Sequence, residues 1–140
     1  MKSITTLALT LLTLAGCSMT SDPTINLANN LANKEWQLAA IDSSPIDPAT
    51  IQHPPTFMMA TNGRISGHGG CNHYFGDTKI SNSYMMAPGL ATTKMLCIQN
   101  EVATIESQLL KALTQGVDVE FSDNDLILVG DDHQFIFQTK

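Results

Sequence analysis

His68, Cys71 and His73 lie within six residues of one another, and Cys97 closes the same glycine-rich stretch, NGRISGHGGCNHYFGDTKISNSYMMAPGLATTKMLC, residues 62–97. Three chemistries are open to them. A free Cys71 thiolate beside His68 or His73 would be a nucleophile or redox group. The two histidines with Cys71, completed by His53 or His133, could form a metal shell, but His-x-x-Cys-x-His matches no closed zinc spacing, and no metal is expected. Cys71 and Cys97 could instead pair, and buried unpaired thiols are the remaining reading. Ser66, Ser81 and Ser83 lack a nucleophile-elbow context, and Gly67-His68-Gly69-Gly70 lacks the Lys-Ser/Thr of a phosphate loop. The acidic residues show no pairing suited to acid–base work, so no catalytic residue and no cofactor is assigned.

The compartment decides between these thiol chemistries. The chain opens MKSITTLALTLLTLAGC, with Lys2, a short apolar run from Leu7 to Leu14, and small residues up to Cys17. That run is too short for a membrane span and reads as a secretory leader over residues 1–16. Leu14-Ala15-Gly16-Cys17 resembles the lipobox of bacterial lipoproteins, which implies cleavage before Cys17 and acylation of its thiol. Ser18 at the following position implies the outer membrane, with the domain facing the periplasm. Cys71 and Cys97 are then an even pair in an oxidising compartment, and a disulfide between them is expected.

Length bounds the rest. A chain of 140 residues is one domain by size. Removing Lys2 leaves six of its seven basic residues against thirteen acidic ones. Scattered single bases on an acidic chain exclude nucleic acid as a natural partner, and an anionic membrane face would repel it weakly. Residues 17–33 read as a polar, asparagine-rich tether in which Ile25, Leu27 and Leu31 could form a loose helical turn.

The domain is expected over residues 34–140. Trp36, Leu38 and Ala40 alternate as in a half-buried strand. Four prolines make Asp42 to Pro55 a loop. Asn62-Gly63 predicts a tight type I′ hairpin, and Ser81-Asn82-Ser83 a second hairpin. Val102, Ile105, Leu109 and Leu113 define one face of a helix from Asn100 to Gly116, with Asn100 as its cap. Three strands of a meander follow, over Val117–Phe121, Leu126–Val129 and Phe135–Phe137. Strands, one helix, then strands imply an α+β fold, a mostly antiparallel curled sheet with the helix packed across it.

Trp36-x-Leu38, Gly70-Cys71-Asn72 followed by aromatics, and Ala91-Thr92-Thr93-Lys94-Met95-Leu96-Cys97 leading into a helix resemble the META domain family, in its HslJ-like heat-shock lipoprotein branch. The match runs from about Lys34 to Lys140. Lys94 stands where many members carry arginine, and His68 has no place in the pattern. The resemblance implies a small open barrel, a non-enzymatic envelope protein and a link to stress. From the residues themselves, Met58, Met85, Tyr74 and Phe75 are expected to make an adaptable apolar surface for a protein partner. An apolar or metal ligand carried near His68 and Cys71 is the alternative, and the domain is expected to be a monomer.

Overall fold

The computed structural model describes residues 23–47 and 49–140. The leader, Cys17 and the first part of the expected tether lie outside them. The described chain begins with helix α1 (Pro23–Leu31), followed by strands β1 (Glu35–Ile41), β2 (Ser44–Pro45), β3 (Thr56–Met59), β4 (Arg64–His68) and β5 (His73–Asp77). Strands β6 (Lys79–Ser81), β7 (Tyr84–Met86) and β8 (Ala91–Thr92) lead to helix α2 (Asn100–Gln115). The meander β9 (Val117–Ser122), β10 (Asp125–Val129) and β11 (Gln134–Thr139) closes the fold.

Every strand pairing is antiparallel, in the order β6-β7-β9-β10-β11-β1-β3-β4-β5-β8, with β2 beside β1. The sheet curls into a half-barrel and α2 lies across it. Alternation along each strand sends one set of side chains inward: Phe57 and Met59 on β3, Ile65 on β4, Tyr74 on β5, Phe135 and Phe137 on β11. Val102, Ile105, Leu109 and Leu113 meet them from α2. Each such side chain contributes about 1.5–3 kcal/mol when fully buried, so packing holds the helix more than its propensity does.

Several boundaries differ from the sequence reading. Residues 23–31 are a helix and not tether: Leu27 and Leu31 pack into the core, and Ala32 bridges to Met59. The ordered domain therefore begins well before Lys34, because two leucines four apart form an apolar stripe too valuable to leave in water. The Asp42–Pro55 segment contains a hairpin, since Ile41 pairs with Ser44 across Asp42 and Ser43, both at positive φ. The turn at Asn62-Gly63 is a three-residue loop closed by Ala60 and Arg64 in which only Gly63 takes positive φ. Gln99 occupies the N-cap position of α2 without a side-chain capping bond, and Asn100 is already helical.

Candidate functional site

The glycine-cysteine-asparagine turn between β4 and β5 is tied to α2 by one carboxylate. Glu106 lies on the buried face of α2, and its Oε2 accepts the backbone N–H of Cys71 at 3.0 Å and of Asn72 at 2.5 Å. Its Oε1 accepts the Asn72 Nδ2 amide at 2.7 Å. The turn can approach this closely because Gly69 has no side chain: a Cβ there would stand 2.6 Å from both Cγ and Oε2 of Glu106.

Asn72 passes the connection on. Its Oδ1 accepts the Met95 N–H at 2.6 Å and the Thr93 hydroxyl at 3.0 Å. Thr93 also donates its backbone N–H to the His73 carbonyl at 3.0 Å. The Cys71–Cys97 disulfide closes the same assembly, with its Cα atoms 5.8 Å apart. The turn, the 93–97 segment and α2 are thus one cross-braced unit.

This use of the polar atoms decides what the cluster can do. The sulfurs of Cys71 and Cys97 lie close to Glu106, a grouping that could hold a metal ion if the thiols were free. They are bonded to each other, so neither offers a thiolate. Glu106 already accepts three hydrogen bonds.

His68 and His73 lie elsewhere, on the outer face of the sheet, whereas His133 stands apart from them before β11, 2.7 Å from the Asp42 carboxylate. Cross-strand register places Glu35, Met58, Ser66, Phe75 and Ala91 in one row across β1, β3, β4, β5 and β8. The His68–His73 pair lies one step along, with ring centroids 4.8 Å apart and His53 6.4 Å from His68. A cleft of about 660 Å³ runs over this face, lined by His53, His68, His73, Phe75, Gln37 and Lys140 among others. Nδ1 of His68 accepts the Gly70 N–H at 3.1 Å. Burial pushes the His68 pKa down from its ordinary value, helped by the charges of His73 and His53 and opposed by Glu106 and the Cys71 backbone.

Of the expected apolar surface, Met58 and Phe75 are exposed, while Tyr74 and Met85 are buried. Neighbours on a strand face opposite ways, so Tyr74 and Phe75 cannot share a surface. Tyr74 points inward and donates its hydroxyl to the Thr56 carbonyl at 2.7 Å. Met85 faces inward on β7 and pairs with Val117. The sequence reading missed Glu106, although its position betrays it: it falls four residues after Val102 and three before Leu109, on the apolar stripe. It also missed Leu96 and Ile98, each 91% exposed.

A family model described as "META domain" matches residues 29–140. The chain belongs to the META domain family. The heat shock protein HslJ of Escherichia coli K12 is 27% identical over 128 residues, covering 91% of this chain and 89% of that relative. An NMR structure of a Burkholderia xenovorans protein matches this META domain with a TM-score of 0.65 and 21% identity, over 94% of this chain and 99% of its own. A second NMR structure gives a TM-score of 0.69 at 24% identity, over 79% and 92%. A crystal structure of a DUF4847 family protein from Bacteroides vulgatus gives 0.54 at 12% identity, over 80% and 96%. These structural likenesses establish the fold, and the braced turn lies inside the matched META region.

Proposed function

We propose that this chain is a non-enzymatic lipoprotein of the bacterial envelope, acylated at Cys17 and held on the periplasmic side of the outer membrane. Its META domain serves as a protein-interaction module in the response to envelope stress. The observation that carries this reading is a division of labour across the sheet. The residues best suited to chemistry, Cys71, Cys97, Asn72 and Glu106, are occupied in bracing the fold. The outer face of β1, β3, β4 and β5 instead offers a cleft lined by Phe75, with Met58 exposed in the same cross-strand row. An aromatic and a methionine on a rigid sheet, bordered by polar groups, suit an adaptable protein contact. The stress connection comes from the heat-shock name of the relative.

The test is a photo-crosslinking amino acid placed at Phe75, at Met58 and, as control, at exposed Glu120 in the intact envelope. A discrete protein adduct at 75 or 58 that is absent at 120 is expected. Equal or no capture at all three positions would sink the interaction reading. A carrier of a small ligand is favoured by one observation only, the three histidines bordering the cleft. Native mass spectrometry of the protein from periplasmic extracts, showing no bound mass, would remove it.

A further inference from the structure

The segment after β8 carries an unusual exposure. Thr93, Met95 and Cys97 are anchored, through the His73 carbonyl, Asn72 Oδ1 and the disulfide respectively. The residues between and after them, Lys94, Leu96 and Ile98, are exposed, Leu96 and Ile98 at 91% each, and Met95 is 57% exposed beside them. Leucine and isoleucine held this far into water by a braced backbone are a cost to a free domain, since burying them elsewhere would stabilise it.

We propose that the stapled segment Thr93–Ile98 is a second membrane contact, which seats Leu96 and Ile98 in the interfacial region of the bilayer with Lys94 at headgroup level. The inference rests on the lipid-anchored reading above. Its first support is shape. Leu96 and Ile98 project at the margin of a shallow cleft that they share with Gln52, His53 and Val102, and a fluid interface accepts such a projecting tip without a matching pocket.

The leash is the second support. Six residue steps separate Cys17 from Pro23, where the described structure begins, and span at most about 20 Å. That is less than the width of a small domain, about 30 Å, so the acylated domain cannot leave the surface. Charge is the third. Between Asp47 and Glu101 the sequence holds a single carboxylate, Asp77, against Arg64, Lys79 and Lys94, while eight carboxylates fall from Glu101 to Asp132. Apart from Glu101, three residues past the segment, and Glu106, buried beside the disulfide, the negative charge that would repel an anionic leaflet lies away from this segment in sequence, and Lys94 sits within it as the kind of cation that lies among headgroups while its stem covers apolar surface.

The experiment uses the mature acylated protein in vesicles of phosphatidylethanolamine and phosphatidylglycerol with brominated acyl chains. Leu96→Trp and Ile98→Trp place a reporter at exposed positions, Asp123→Trp serves as control, and the buried native Trp36 supplies the background. Trp fluorescence at 96 or 98 should be blue-shifted and quenched about twofold by brominated lipid, with no quenching at 123. Quenching at 96 and 98 no greater than at 123 overturns the proposal. So does capture of a protein in place of lipid by a photo-crosslinker at 96, which would make the segment a protein-docking tip. Intact mass of the same preparation reads the acyl chains separately. An unmodified Cys17 sinks the anchoring reading alone, and quenching at excess vesicle then decides the contact.

Discussion

Glu106 occupies a position on α2 where the stripe of Val102, Ile105, Leu109 and Leu113 would ordinarily place another apolar side chain. A buried carboxylate is tolerated only when its oxygens are paired, and here two backbone amides and one side-chain amide pair them. Glu106→Leu would leave the Cys71 and Asn72 N–H groups buried without acceptors, and urea denaturation should show a loss of about 3 kcal/mol. Glu106→Gln, which keeps one acceptor, should lose roughly half as much. Equal stability of Glu106→Leu and the parent would mean the carboxylate does not hold the turn. His68 gives a second prediction at this scale. Its folded pKa lies below the unfolded value, so the unfolded chain binds more protons between the two and stability rises with pH there. Its contribution is complete above about pH 6.5 and is lost as pH drops through the folded value. Thermal melts at pH 7.5 and 5.5 should differ less in His68→Gln than in the parent. Asp42 cannot mimic this, because the Gln134 N–H and His133 hold its pKa below the ordinary carboxylate range, which moves its loss to far more acid conditions.

At the scale of elements, helix α1 is the least legible part of the chain. Its neighbours in sequence are polar and asparagine-rich, and only Leu27 and Leu31 mark an apolar stripe. Helix propensity is too weak to settle so short a segment, and burial against the sheet settles it. A chain beginning at Lys34 should therefore fold but lose about 3–6 kcal/mol, since two buried leucines go with the helix. Chemical denaturation of the two chains measures this, and identical midpoints would mean that α1 only rests on the domain. By contrast α2 was readable from its four apolar positions, and the meander from its alternation. The braced turn was half legible. Glycines and two cysteines marked the place, but which side chains face inward depends on register. A stretch such as Tyr74-Phe75 or Met85-Met86 does not encode its own parity, whereas the pairing of β5 with β4 and of β7 with β9 does.

For the whole molecule, the open half-barrel raises the question of what guards its two edges. A sheet that does not close leaves unpaired N–H and C=O groups, and long flat edges invite a second copy to add on. Here the terminal strands are β6, three residues long, and β8, two residues long. Lys79 stands at the start of β6, and Pro88 and Gly89 precede β8, so neither edge offers more than a bond or two to a neighbour. The interior gives no other reason to pair: Phe57, Phe135, Phe137, Leu126 and Leu128 are completely buried within one chain. The Cys17→Ser chain, which carries no acyl group, should therefore sediment as a monomer at concentrations of tens of micromolar, well above those at which stable homodimers form. A dimer would mean that the exposed row of Met58 and Phe75 is covered by a second copy. Asp substitution at Phe75 would then dissociate it, while the same substitution at Leu96 would separate that contact from the one assigned to the membrane.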